Sequence, residues 1–149
     1  MTEYINELKI RYVKTREKNP LYGKTVETPD ELYQLFKSIV RSDKERLLSV
    51  HFDARLQINC YEVLSIGDSG SCLFSPKEIF KGVLLSDSSA FALIHNHPTG
   101  DCAPSDADLE VSKIIEEGAR YVGLSYLDFI IIGDNEYWSL EDGYRDIES

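Results

Sequence analysis

Residues 93–108 read LIHNHPTGDCAPSDAD, and this stretch predicts how the chain is organised on either side of it. An apolar run, residues 90–94, leads into it and is typical of a buried strand. Because side chains alternate between the two faces of a strand, His95 and His97 would point to the same side. The Pro and Gly residues that follow predict a turn, after which a helical pattern begins. The stretch therefore predicts a strand, a turn and a helix that meet around two imidazoles.

The spacing of these side chains suits a metal ion. Two imidazoles on one face, one strand step apart, can share a tetrahedral ion, and Asp108 would reach it from the first turn of the following helix. Two histidines and one carboxylate leave the fourth position open for water, which is the arrangement of catalytic rather than structural zinc. The candidate metal ligands are therefore His95, His97 and Asp108.

A simpler interpretation of the same residues needs no metal. Ser105 and Asp108 have the spacing of a capping box, with Ser105 as the N-cap and Asp108 at position N3. Histidines in strands are also often only hydrogen-bonded core residues. The two interpretations do not exclude each other, and an acid correctly spaced after a turn favours the metal site.

The pattern His-x-His-x7-Ser-x-x-Asp is the metal signature of the JAMM (MPN-plus, or JAB) metallopeptidase domain. The residues that fill the pattern here, HNHPTGDCAPSDAD, resemble the RadC branch of that family. Residues 126–133, YLDFIIIG, are also similar to RadC, which usually has His where this chain has Phe129. The resemblance covers roughly residues 25–149. It implies a bound zinc ion and hydrolysis of an amide bond in a peptide or protein substrate.

The resemblance also implies roles for two further residues. Glu45 carries over as the general base for the attacking water, and Ser105 as the hydroxyl that helps to stabilise the developing oxyanion. Spacing alone does not single out the base, because Glu62 and Glu78 also precede the histidines. Glu78 fits position N3 of a second capping box that begins at Ser75, whereas Glu45 has the alternative of a solvent-facing side chain. As an N-cap, the Ser105 hydroxyl would already accept a hydrogen bond from the amide at position N3, so the two roles compete for one oxygen.

Three other residues carry groups that could take part in a site. Asp128 aligns with an acidic position of RadC-like chains, where it would either orient a ligand histidine through a hydrogen bond or bond only to backbone. Cys102 lies between the histidines and Asp108 but matches no ligand position, so we expect a free thiol. His51 matches no position of the motif and is interpreted as an ordinary strand histidine.

The charge of the chain is acidic and unevenly distributed. The net charge is −10 and the pI is near 4.7, which is a poor balance for a general nucleic-acid binder. Residues 1–24 carry six basic and three acidic groups, a net of +3, so the remainder carries −13. This basic arm could make weak nucleic-acid contacts, or it could be a solvated strand edge on which Lys discourages pairing. We therefore divide the chain into an arm, residues 1–24, and a domain, residues 25–149.

The cysteines and the apolar segments predict a cytoplasmic protein. The chain has three cysteines and no C-x-x-C pair, which argues for a reducing compartment and against a disulfide framework. No segment approaches the length of a transmembrane helix, and the first residues lack the apolar core of a signal peptide. We expect no membrane contact.

The remaining patterns predict a mixed β-sheet with helices on both sides, an α/β fold of three layers like that of JAB/MPN and cytidine-deaminase-like domains. Helices should begin at Thr28, Ser75 and Ser105, the last ending near Gly118. Inward-facing positions are expected at Leu32, Leu35, Phe36 and Ile39, at Ile79, Phe80, Val83 and Leu84, and at Leu109, Val111, Ile114 and Ile115. Strands are expected over residues 8–14, 47–52, 56–66, 90–95, 126–132 and 137–140. The acidic tail after Asp142 is expected to be loose or weakly helical.

Two functional hypotheses follow. The first is a zinc metallopeptidase or isopeptidase of the JAMM type, and the second is a non-catalytic binding module of the RadC type, associated by name with DNA repair. Because non-catalytic JAMM scaffolds usually lack a ligand and this chain keeps all three, the sequence favours the enzyme. A zinc deaminase is excluded, because its H-x-E and P-C-x-x-C motifs are absent.

Overall fold

The computed structural model of the chain describes residues 5, 7–9, 18–40, 44–67 and 75–146. The strand predicted at residues 8–14 lies largely outside these ranges, as do most of the basic arm and Cys72. The predicted division into an arm and a domain is therefore not tested by the structure.

The described residues include three helices and six strands. In chain order they are α1 (Pro29–Val40), β1 (Glu45–Phe52), β2 (Ile58–Gly67), α2 (Pro76–Leu85), β3 (Ala90–Asn96), α3 (Asp106–Val122), β4 (Ser125–Ile132), β5 (Glu136–Ser139) and β6 (Gly143–Asp146). The strands form one sheet in the order β2-β1-β3-β4-β5-β6. β3 and β4 are parallel and joined through α3, whereas the other neighbouring pairs are antiparallel. The predicted mixed sheet is confirmed.

The helices cover both faces of this sheet. On one face, α1 buries Phe36 in a cluster with Ala92 and Ile94 of β3. On the other face, α2 and α3 bury Ile79 and Ile115 in a cluster with alternate residues of the same strand, Phe91 and Leu93. The alternation of β3 therefore continues to His95, which lies on the face covered by α2 and α3. The predicted three-layer architecture is confirmed.

Two of the three predicted helix starts use the predicted caps. At α1 the Glu31 carboxylate accepts from the Thr28 amide at 3.1 Å while the Glu31 amide donates to the Thr28 hydroxyl at 3.3 Å. Ser105 and Asp108 form the same reciprocal pair at α3. The capping box expected at Ser75 is wrong, because that side chain makes no capping bond. None of these helices in the described part of the chain has the length and apolar composition needed to cross a membrane.

The helices on the α2–α3 face differ from expectation in two places. Leu84 and Ile114, expected to face inward, are 53% and 49% exposed, because the inner stripe is shared between two adjacent helices and each covers only part of the sheet. α3 continues past Gly118 to Val122 and ends at Gly123, which has the positive φ of 74° typical of a helix end. Gly118 is explained by packing, since a Cβ there would lie 2.8 Å from the Phe80 ring of α2.

Residues Gly143–Asp146 form a strand, so the expectation of a loose or helical segment there is wrong. β6 pairs with β5, and Tyr144 lies opposite Trp138. The turn between the two strands is fixed by the Ser139 hydroxyl, which accepts from the amides of Glu141 and Asp142. This short segment, with one basic and one acidic residue, thus continues the sheet after a turn that is held by side-chain bonds.

His51 is a buried core histidine, in line with its interpretation as a strand residue. One ring nitrogen lies 2.9 Å from the Ser86 hydroxyl and the other 3.0 Å from the Ser49 hydroxyl. The side chain is 2% exposed, and this burial lowers the pKa of His51 from 6.5 to about 4. The neutral imidazole is therefore the form that the folded chain accommodates.

The folded chain should lose stability as His51 begins to bind a proton in the unfolded state. Below pH 6.5 the unfolded chain protonates this imidazole, whereas the folded chain resists protonation down to about pH 4. Between pH 7 and pH 5 the free energy of unfolding should therefore fall by about 2 kcal/mol more in the wild type than in His51→Gln. Urea unfolding with a metal chelator present measures this difference, and equal pH dependence in both proteins would contradict it.

Candidate metal centre

The three predicted ligands converge at the carboxyl end of β3. His95 and His97 come from that strand end, and Asp108 comes from the first turn of α3. One ligand atom from each lies within 4.8 Å of the others. His97 Nε2 is 3.1 Å from Asp108 Oδ2, and His95 Nε2 is 3.7 Å from Asp108 Oδ1. The structure thus brings Asp108 to two histidines that precede it by eleven and thirteen positions in the sequence.

Hydrogen bonds to backbone carbonyls orient both imidazoles. His95 Nδ1 donates to the Arg46 carbonyl at 2.8 Å, and His97 Nδ1 donates to the Asp101 carbonyl at 2.9 Å. With Nδ1 carrying the proton, each ring directs Nε2 toward Asp108. Such bonds set the tautomer of a metal-binding histidine and fix the plane of its ring.

Asp108 can serve as a helix cap and as a ligand at the same time. Its Oδ2 accepts from the Ser105 amide at 2.8 Å, and its own amide donates to the Ser105 hydroxyl at 3.1 Å. The second carboxylate oxygen, Oδ1, is the one that faces His95. Because a carboxylate has about four acceptor positions, the cap does not use up its capacity to bind an ion. The two interpretations of this residue from the sequence are therefore compatible.

The electrostatics of the three groups favour a bound cation. Burial would raise the pKa of Asp108, but hydrogen bonds from His97 and Ser105 outweigh it and lower the pKa to about 2. The hydrogen bond to Asp108 raises the pKa of His97, whereas burial lowers the pKa of His95. The ionised Asp108 carboxylate thus lies beside the neutral imidazole of His95 and shares a proton with the imidazole of His97. A metal ion bound at this point would displace that proton.

The donor set and its spacing fit zinc. Two imidazole nitrogens and one carboxylate oxygen are donors that zinc accepts, and the donors around a tetrahedral zinc ion lie about 3.3 Å apart. The separations of 3.1 Å and 3.7 Å are close to that value. His95, His97 and Asp108 would therefore need little movement to hold the ion.

Glu45 is the candidate base that lies beside the ligands. It is the first residue of β1, which neighbours β3, and its Oε1 is 3.0 Å from His95 Nε2. The other candidates are elsewhere: Glu62 of β2 has its Oε1 3.9 Å from His51 Nε2, and Glu78 of α2 pairs with a lysine. The structure therefore brings Glu45, and neither of the other two, to the ligand triad formed by His95, His97 and Asp108.

Ser105 is exposed beside the three metal ligands. Its hydroxyl oxygen accepts a hydrogen bond from the Asp108 amide, which uses one lone pair and leaves the hydroxyl proton available to donate. The N-cap role is therefore observed, and a bond from this hydroxyl to a substrate oxygen stays a prediction.

The structure does not bring Asp128 to the histidines. Its Oδ2 accepts from the Ser139 hydroxyl at 2.7 Å, and its Oδ1 accepts from the amides of Phe129 and Glu141. Asp128 lies opposite Ala92, on the α1 face of the sheet, whereas His95 lies on the other face. Its contacts, two with backbone amides and one with the Ser139 hydroxyl, match neither alternative in full, and they join β4 to the turn after β5.

Cys102 is packed into the core beside this centre. It is fully buried in the cluster on the α2–α3 face, and its backbone lies close to Gly133, where a Cβ would clash. Burial raises the pKa of the Cys102 thiol to about 12, so the neutral thiol predominates. The metal-ligand group found among the described residues does not include it. Cys102 is thus a packing residue, which fits the expected free thiol.

Comparison with known proteins agrees with this geometry. A family profile described as "RadC-like JAB domain" matches residues 26–145. The chain belongs to the RadC-like JAB domain family. The resemblance inferred from the motif is confirmed by a match that covers every element from α1 to β5 and most of β6.

Relatives in this family carry the name UPF0758 protein. That of Methanosarcina mazei is 37% identical over 118 residues, which are 78% of this chain and 52% of that protein. That of Methanococcoides burtonii is 43% identical over 102 residues, 68% of this chain and 44% of the relative. That of Desulfitobacterium hafniense is 33% identical over 125 residues, 83% and 55% respectively. The chain therefore spans about half the length of these curated relatives.

The sequence interpretation missed two residues that hold this RadC-like centre together. Asp101 supplies the carbonyl that orients His97, and Asn96 bonds to the backbone on both sides of Glu45. A backbone carbonyl carries no signature in the sequence. The signal for Asn96 was available, because a polar amide between two ligand histidines must lie on the opposite, otherwise apolar, side of the strand.

Zinc binding tests the centre. We expect about one zinc ion per chain, with affinity reduced at least about 100-fold in His97→Ala and in Asp108→Asn, which remove a donor or its charge. Asp108→Asn leaves an oxygen for the Ser105 amide, so the helix cap is largely kept. Competition with a chromophoric chelator measures the affinities.

Asp53→Asn is the matched control, because this carboxylate also accepts backbone amides, at a turn after β1. Its zinc affinity should equal that of the wild type. Undiminished zinc content in both site variants would remove the proposed centre.

Proposed function

We propose that this chain is a zinc-dependent hydrolase that cleaves an amide bond, a metallopeptidase or isopeptidase acting on a peptide or protein. The observation that carries the proposal is the Glu45 carboxylate, 3.0 Å from the Nε2 atom of His95 and beside the triad. A metal-binding domain without hydrolytic activity has no need of a carboxylate at this point.

The residues of the chain divide the chemistry among them. His95, His97 and Asp108 would hold the zinc ion, which when bound lowers the pKa of water to about 7 and polarises a carbonyl group. Glu45 then accepts the proton of the attacking water and later delivers it to the leaving amine. The Ser105 hydroxyl, exposed at the start of α3, donates a hydrogen bond to the oxygen that gains negative charge.

The burial of Glu45 suits the role of a base. Its side chain is only 13% exposed, so the carboxylate is kept close to the triad rather than solvated at a distance. It is the first residue of β1, and its Oε1 faces the same His95 nitrogen as Asp108 Oδ1, so a water bound between the ligands would lie next to it. The alternative of a solvent-facing glutamate is therefore less favoured than it was from the sequence.

The second hypothesis, a non-catalytic binding module, has less support. It assigns no task to Glu45 or to the complete ligand group, and the weak nucleic-acid contact that went with it depended on the basic arm, most of which lies outside the described residues. The hydrolase accounts for both the ligand group and the neighbouring carboxylate.

Substitution of the base separates the two hypotheses. Glu45→Gln keeps the size of the side chain but cannot accept the proton, so we expect zinc binding to be retained and hydrolysis to fall at least about 100-fold. Zinc-loaded protein is assayed with a library of quenched fluorescent peptides, and zinc content is measured on the same samples.

Glu62→Gln serves as the control, since this glutamate lies near His51 and not at the triad. It should retain the activity of the wild type. Equal peptide hydrolysis by Glu45→Gln and the wild type would refute Glu45 as the base, and the absence of any hydrolysis in the zinc-loaded wild type would refute the peptidase.

A further inference from the structure

Asn96 occupies an unusual position between the two ligand histidines. It is the last residue of β3 and is 3% exposed. Because strand side chains alternate, its amide lies on the opposite face from His95. A buried polar side chain needs hydrogen-bond partners, so its contacts show what it is there to hold.

Those contacts are with the backbone on both sides of Glu45. Asn96 Oδ1 accepts from the Arg46 amide at 2.6 Å, and Asn96 Nδ2 donates to the Lys44 carbonyl at 3.0 Å. The two peptide groups of Glu45 are thus tied to one side chain. A third bond, from His95 Nδ1 to the Arg46 carbonyl, holds the same segment from the other face.

These bonds extend the β1–β3 pairing where the backbone pairing stops. The last Cα pair between the two strands is Leu47 with His95, and in that antiparallel register the next position of β3, opposite Arg46, is Asn96 itself. On the other side of β1, Glu45 and Arg46 pair with Gly67 and Ile66 of β2. The Asn96 side-chain amide, which supplies one donor and one acceptor, bonds to both peptide groups of Glu45 as a peptide group of a paired strand would. Asn96 and His95 thus both bond to this segment from the β3 side.

We propose that Asn96 is a positioning residue for Glu45, and that its amide holds the carboxylate at the metal site. The inference rests on the proposed function, because it assigns Glu45 the role of base. A catalytic group must stay within about 0.5 Å of its working position, and bonds to both peptide groups of Glu45 restrain the backbone that carries its carboxylate. The residue between the ligands therefore links the position of the base to the position of the metal.

A purely structural role would have different consequences. If Asn96 only stabilised the fold, its loss would lower the free energy of unfolding and leave Glu45 and the catalytic step unchanged in the folded molecules. If it positions Glu45, the backbone at Arg46 and the carboxylate should shift while the metal ligands remain in place.

Three variants test this. Asn96→Ala removes both bonds, and Asn96→Asp keeps the acceptor for the Arg46 amide but places a second acceptor against the Lys44 carbonyl. Asn59→Ala is the matched control, because this amide also donates to backbone, the Ser86 carbonyl at 3.0 Å, away from the metal site. All three are prepared as zinc-loaded protein, and we expect about one zinc ion in each.

The first readouts need no activity. In Asn96→Ala we expect hydrogen exchange of the Arg46 amide to accelerate at least about tenfold relative to core amides of β3. In crystal structures of the zinc-loaded proteins, the Glu45 carboxylate should move by more than about 1 Å. Asn59→Ala should show neither change. A Glu45 carboxylate that stays in place in Asn96→Ala overturns the proposal.

The second readout is kinetic and uses the peptide library. We expect kcat to fall at least about tenfold in Asn96→Ala, and by less in Asn96→Asp, with KM unchanged. A displaced Glu45 with unchanged kcat also overturns the proposal. Absence of hydrolysis by the wild type would refute the proposed function instead, and the exchange and crystallographic results would still decide whether Asn96 positions Glu45.

Discussion

The register of β1 against β3 is the constraint on which the site depends. Leu47 lies opposite His95, which places Glu45, two residues earlier in β1, on the same face and brings its carboxylate to the imidazole. A slip of one residue would turn Glu45 to the α1 face and Leu47 away from its core cluster. The apolar residues of β1 that fill both cores therefore also fix the position of the only glutamate beside the triad among the described residues.

The start of α3 is the second structural element of the site. The side chains of Ser105 and Asp108 satisfy each other's amides at the start of the helix, and the same Asp108 carboxylate projects toward the histidines. A negative charge is favourable at a helix N-terminus, so the helix stabilises the ionised form of the ligand. Because two hydrogen bonds hold the carboxylate in place, folding of the helix orients the ligand before any ion arrives. Both helix stability and metal binding thus depend on Asp108. A substitution of Asp108 therefore has to be chosen so that loss of the ligand is separated from loss of the helix cap.

The features that the sequence predicted correctly are local. The spacing of His95, His97 and Asp108 is interpretable because a strand, a turn and the first helical turn are each regular. The contact between Glu45 and His95 joins residues 50 positions apart, and no spacing rule reaches that far, so the resemblance to RadC was needed to select it. Asp128 was uncertain because an irregularity in the β3–β4 pairing precedes it, and strand alternation could not be counted through that point. The last strand was missed because its pairing depends on side-chain bonds in the turn and not on its own composition.

X-ray absorption spectroscopy of the zinc-loaded protein tests most directly whether two imidazoles and one carboxylate bind a single ion. The account requires a first shell of about four nitrogen and oxygen atoms at about 2.0–2.2 Å, with the outer-shell scattering of two histidine rings. A sulfur atom at about 2.3 Å would implicate a cysteine. Either that result or scattering from fewer than two imidazoles would contradict the centre described here.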